Sequence, residues 1–310
     1  MAYRLERGES VIRGLKRVVR DEMESAGAHL AGNGIPSRDE AIHEARKSIK
    51  KVRAVLRLIK AKLGGVQARE DSRLRNVGRR LSTFRDAFVI VETFDELKKK
   101  YPGEAGAGLH SVRLALTKRR NQAARTADIE TVLEDAAAVL GKAAKRAKDW
   151  PLQKDGYAAI GPGLEKSYRA GREALARVRK EPLPENYHDL RKRVKDHWYH
   201  VRLLENLWSR VMKASEKSLK DLETWLGNDH NLFVLRARIV AEPAFYGKQK
   251  DIELALELID RYQKELREQS LSLAERVFDE KPRDFTRRMK HLWDTWRHEP
   301  KPLEESSTAA

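Results

Sequence analysis

His43-Glu44-Ala45-Arg46-Lys47-Ser48-Ile49-Lys50-Lys51-Val52-Arg53 decides how this chain is read. Continued to residue 60, the basic positions His43, Arg46, Lys50, Arg53, Arg57 and Lys60 recur at steps of three and four. Those steps put side chains on one helical stripe, one turn or ~5.4 Å apart. Displaced by one position runs a second row at the same spacing: Ile42, Ala45, Ile49, Val52, Leu56, Ile59 and Leu63. An apolar seam of that period packs a helix into a bundle. The cationic row therefore flanks a buried seam, which places it on the wall of a groove or channel. No acid lies within the row, so its like charges repel, and a bound anion would supply the countercharge.

Part of the pattern returns 145 positions later. That shift matches His43 to His188, Arg46 to Arg191, Lys47 to Lys192, Lys50 to Lys195, Arg57 to Arg202 and Leu58 to Leu203. Without a gap it also aligns Leu74, Leu81, Phe88 and Val89 with Leu219, Leu226, Phe233 and Val234, and sets Asp86 against Asn231. Two related helical units are the simplest reading. The expected fold is all-α, with two four-helix-bundle-like repeats related by pseudo-twofold symmetry and a basic central channel where the two histidine helices meet. The first repeat is assigned to residues 5–150, the second to 151–297 and a flexible tail to 298–310.

Helical periodicity fills almost the whole chain. Segments are expected near 8–28, 37–65, 68–99, 105–125 and 128–148, then 153–180, 185–213, 214–241, 247–280 and 283–297. Ser37 with Glu40 three residues on marks a helix start, and Gly64-Gly65, Tyr101-Pro102-Gly103, Trp150-Pro151 and Pro182-Leu183-Pro184 are breaks.

The 310 residues carry 64 Lys and Arg against 47 Asp and Glu, a formal net charge of +17. Such an excess suits an acidic partner: nucleic acid, an anionic membrane surface or inorganic polyphosphate. The absence of cysteine removes disulfides, thiolate metal sites and cysteine nucleophiles. No run of about 18 apolar residues exists to span a bilayer, and no apolar leader precedes the first helix. The expectation is a soluble, cytoplasmic protein with no membrane partner.

The residues quoted above resemble the CHAD family, named for a histidine-bearing α-helical domain. One family element is His43 through Arg53 together with His188-Asp189-Leu190-Arg191-Lys192-Arg193-Val194-Lys195. The other is Phe84-Arg85-Asp86-Ala87-Phe88-Val89 and Leu226-Gly227-Asn228-Asp229-His230-Asn231-Leu232-Phe233-Val234. The four motifs occur in order, and the resemblance extends from about residue 5 to 297. It implies binding of inorganic polyphosphate in a basic channel and recruitment to polyphosphate granules, without enzymatic activity of its own. Carried onto matching positions, it implies anion-binding groups at His43, Arg46, Lys47, Lys50, Arg53, Arg57, His188, Arg191, Lys192, Lys195 and Arg202. Two departures weaken the second element: Trp198 stands where a counterpart of Arg53 is expected, and Asn231 replaces the acid Asp86.

Other features are weighed beside this reading. Arg13, Lys16, Arg17 and Arg20, with Lys51, Lys166, Arg169, Arg172 and Arg193, form a second tier that extends the cationic surface or simply faces solvent. His43 and His188 are read as protonated donors to phosphate, since an imidazole near an anion holds its proton. His197 and His200 lack a third ligand of clear spacing, so no metal is assigned. Asp86 is read as structural, pairing with an arginine or capping a helix break. The tryptophans fit helix packing better than base stacking, which argues against a single-strand nucleic-acid binder. A general nucleic-acid binder remains the alternative. An enzyme acting on phosphate chains is a weaker one, because the family is sometimes fused to a triphosphatase bearing Glu-x-Glu-x-Lys on a strand. Here Glu22-Met23-Glu24 leads to Ala26 within a helical pattern. No catalytic residue and no cofactor is assigned.

Overall fold

The computed structural model describes residues 3–32, 37–104, 109–125 and 129–299, and the side chains of all of these except 85–87 and 123–125. The basic segment forms α2 (Arg38–Leu58). Its Ser37 hydroxyl accepts the Glu40 backbone N–H at 3.2 Å, a cap that contributes ~1 kcal/mol. Ile42, Ala45, Ile49, Val52, Leu56 and Ile59 are no more than 2% exposed, as the apolar row requires.

Around it stand α1 (Val11–Leu30), the single turn α3 (Lys60–Leu63), the long α4 (Gly65–Lys100), α5 (His110–Arg125) and α6 (Ile129–Arg146). The second half adds α7 (Tyr157–Lys180), α8 (Pro184–Leu203), α9 (Ser209–Ala241), α10 (Pro243–Tyr246), α11 (Gln249–Val277) and α12 (Pro282–His298). Among the described residues there is no strand, and no helix is long and apolar enough to cross a membrane.

Helix pairing repeats along the chain. α1 packs on α2 and α6 as α7 packs on α8 and α12; α4 packs on α2 and α5 as α9 packs on α8 and α11. The two halves nevertheless do not bury their apolar faces separately. One cluster joins α1, α2 and α6 to α7, α8 and α12, and the other joins α5 and the end of α4 to α11 and the end of α9. Two hydrogen bonds at Leu5 help tie them. Leu5 donates its N–H to the helix-end carbonyl of Leu203 at 2.9 Å, and Asn206 Nδ2 donates to Leu5 O.

One expected boundary is corrected. The helix expected over 185–213 stops at Leu203, followed by a 3-10 turn, Glu205–Leu207, and a fresh helix from Ser209. No Gly or Pro marks the break. Tertiary packing makes it: Leu203, Leu204 and Leu207 are all buried, and Leu5 takes up an orphan carbonyl. The tail from residue 300 lies outside the described residues.

Gly163 of α7 crosses the end of α2 so closely that a Cβ there would lie 1.6 Å from Leu58 O. The obstacle is backbone, which cannot rotate aside. Gly163→Ala is expected to destabilise the fold by about 3 kcal/mol, read as a lowered midpoint in urea; an unchanged midpoint would show that the two halves can move apart at this point.

Candidate anion-binding groove

α2 and α8 face each other, locked in register by a buried hydrogen bond between His200 Nε2 and Ala54 O at 3.0 Å. Two adjoining cavities open along them, of about 720 and 290 Å³. Lys50, Arg191, Lys195 and Tyr199 line both. The larger takes in His43, Arg46, Lys47 and Arg202; the smaller takes in Arg53, Arg57, His188 and Lys192. All eleven residues implied by the resemblance thus reach one groove. Of the second tier only Arg193 does. Arg17 is held by Glu9 at 2.6 Å, Lys16 by Lys148 O, Lys51 by Glu22 and Arg169 by Glu165, while Arg20 pairs with Asp21. Arg172 instead donates to carbonyls of Phe278, Asp279 and Glu280 at the end of α11, and Arg13 and Lys166 are exposed away from the groove.

The row's countercharge is partly internal, a correction to the view that only a ligand supplies it. Arg53 makes a two-pronged pair with Asp71 of α4 at 2.8 and 3.3 Å, and Arg57 bridges Asp71 and Asp196. Glu223 of α9 lies 2.6 Å from Lys195 and 3.3 Å from Arg191, and Glu216 holds Arg202. Arg46 donates to Gly78 O and to Ser82 Oγ. These partners were invisible to periodicity within one helix but not to the repeat. Asp71 and Arg75 sit one turn apart, and the same 145-residue shift carries them onto Glu216 and Lys220.

Cations still prevail. Eleven lysines and arginines line the two cavities against four carboxylates, Glu92, Asp196, Glu216 and Glu223. Burial pushes Glu223 up, but Lys195 and Arg191 more than offset it and hold the carboxyl at about 2. Burial, then Lys195, Arg46 and Arg191, drive the Lys50 ammonium well below the ordinary lysine value, with Glu223 opposing. Among the described residues Lys50 has no ion pair. Buried Nε of Arg57, Arg191 and Arg193, Nε1 of Trp198 and Nδ1 of His188 also make no hydrogen bond to protein. Buried donors in a cation-rich cavity are what an anionic guest requires.

The histidines sit in two different settings. His188 stacks on His230, ring centres 4.2 Å apart. Burial, then Lys192 and Arg191, lower the His188 value, and burial with His188 as first neighbour brings His230 to about 4. Without a guest, therefore, His188 sheds its proton rather than holding it. His43 is half-exposed beside Glu44. His230, from the second family element, also lines the larger cavity.

An anion on Arg191 and Lys192 would offset the repulsion that lowers His188 and raise its value. Between the free and bound values the complex then carries more protons, so affinity is expected to rise as pH falls from about 7 to 5. Calorimetry in two buffers of unlike ionisation enthalpy should report proton uptake; release would contradict this sign.

Trp198 replaces a cation without vacating the groove. It is 7% exposed, stacks on Tyr199 at 5.1 Å, and carries Lys220 and Arg202 over its ring at 5.0 and 5.5 Å. Such contacts orient the two cations. His197 is enclosed by Tyr168, Phe278 and Phe285, burial bringing it to about 3. His200 is spent on Ala54, and no group of three or more candidate metal ligands occurs among the described residues. The Asp86 side chain lies outside the described residues.

Among the described residues, an all-helical scaffold with a cation-lined groove between α2 and α8 is the class that fold and geometry define. The family model for the CHAD domain matches residues 22–240, and the chain belongs to that family. The crystal structure of the CHAD domain from the plant Ricinus communis is similar in fold, with a TM-score of 0.63 at 18% identity, covering 90% of this chain and 95% of that one. Comparison with curated protein sequences gives no match.

Proposed function

We propose that the protein binds inorganic polyphosphate without transforming it, along the groove between α2 and α8, and that this binding brings it to polyphosphate granules. One observation carries the reading: two helices that are distant in sequence contribute ten lysines and arginines to a single groove with too few carboxylates to neutralise them. A chain of phosphates offers a charge at every unit and little bulk between units. Arginine forks fix individual oxygens while lysines adapt to changing register, a mixture suited to a repetitive thread. The association of the CHAD family with polyphosphate supports the same ligand.

A salt series tests it. With six to eight phosphates contacted, log affinity should fall against log salt with a slope of roughly −4 to −6, by analogy with single-stranded nucleic acid. At matched phosphate concentration polyphosphate should displace RNA readily and RNA should displace polyphosphate poorly. Equal competition would favour a general nucleic-acid binder, and orthophosphate release by the purified protein would make it an enzyme.

A further inference from the structure

We propose that Lys50 is a site of covalent acylation by acyl phosphates, and that its modification weakens the groove's hold on anions. The groove sets an amine among groups suited to hold a phosphate. Lys50 lines both cavities and has no ion pair among the described residues. The other groove lysines differ: Lys195 is tied to Glu223 at 2.6 Å and Lys47 to Glu44 at 2.9 Å, while Lys192 is exposed to water. Facing Lys50 are Arg46 on its own helix, Arg191 and Lys195 on α8, and Glu223 on α9. Three cations against one carboxylate favour the neutral amine, which is the nucleophilic form, and burial acts in the same direction.

An acyl phosphate carries both halves of the reaction. Its phosphate docks on Arg46 and Arg191 as a phosphate unit of the proposed ligand would, which brings its carbonyl to the amine. The Lys50 nitrogen attacks the carbonyl carbon, a C–N bond forms, and the C–O bond to phosphate breaks. The nitrogen loses one proton to the departing phosphate, so amine plus acyl phosphate gives amide plus hydrogen phosphate, with no redox change. The guanidinium groups stabilise the leaving dianion. The amide can no longer take up the proton that a bound polyanion would stabilise on the amine, so the groove loses a potential cation where it is most crowded, and binding of any polyanion weakens. This last consequence rests on the function proposed above; the reactivity does not.

The test incubates the full chain with acetyl phosphate and follows each lysine by peptide mass spectrometry. Lys50 should acylate at least tenfold faster than Lys47, one turn away and more exposed, and inorganic phosphate should slow it. An uncharged acetyl ester should show a smaller preference, since it has no phosphate to dock. Lys50→Arg should remove the fast site while leaving the helical circular dichroism unchanged. Equal rates at Lys50 and Lys47, or the same preference with the uncharged ester, would overturn the inference. Polyphosphate should also protect Lys50. Failure of that arm alone, with phosphate still protecting, would count against polyphosphate binding and leave the acylation site standing.

Discussion

Arg46→Glu combined with Arg191→Glu is expected to lower affinity for polyphosphate by roughly 100- to 10,000-fold. Each arginine is a charge-assisted donor of about 1.5–3 kcal/mol, so losing both removes about 3–6 kcal/mol, at tenfold per 1.4 kcal/mol. The two residues are repeat equivalents that enter the larger cavity from opposite walls, so no single wall can compensate. Fluorescence anisotropy with end-labelled polyphosphate at fixed salt reads the loss. Arg191→Glu also sets a second carboxylate against Glu223, 3.3 Å from the original guanidinium. Arg46→Gln with Arg191→Gln separates the effects: it should fold normally and still bind at least tenfold more weakly. Unchanged binding in both double variants would remove the groove from the function.

The second large effect concerns stability and has the opposite sign for binding. Glu223→Gln leaves Lys195 and Arg191 buried without their carboxylate, and breaking a buried pair in this way costs about 3–5 kcal/mol. For a chain of this size that is a fall in Tm of roughly 10 °C. Polyphosphate should restore most of it, because the ligand replaces the missing charge, and affinity should rise roughly tenfold as the internal competitor disappears. The pH dependence follows from the carboxyl held at about 2. A carboxylate whose folded value is depressed contributes stability that is present above about 4.5 and lost as pH falls through about 2. The wild-type protein should show that acid limb, and Glu223→Gln should show a shallower one, since Glu9, Glu44 and Glu70 are lowered as well. A variant as stable as wild type across this range would show that Glu223 is not the groove's internal counterion.

Much of this was legible in the chain itself. The apolar row from Ile42 to Leu63 fixed which face of α2 is buried, and the 145-residue repeat fixed its partner helix, so every principal cation fell where the groove formed. What escaped was what one helix cannot reveal. Asp71, Glu216 and Glu223 reach the cations from α4 and α9, and no spacing within α2 announces them. The lowering of His188 has a related origin: burial and the cations that would attract an anion suppress the imidazolium until the anion arrives. The break after Leu203 escaped because core packing, not a glycine or proline, ends the helix. The shared apolar clusters could not be inferred from repeats that look self-sufficient in sequence.

The clasp between His200 and Ala54, set within apolar packing that spans both halves, has a consequence for how a guest is recognised. The spacing of the two helices is therefore set by core packing rather than by the guest. If the proposed inorganic thread is the guest, it would lose its own disorder on entry while the host would lose little, so discrimination is expected to fall on cross-section and bendability rather than on sequence or end groups. Stiff or bulky polyanions of equal charge are then expected to bind more weakly, because attraction alone would not fit them between α2 and α8.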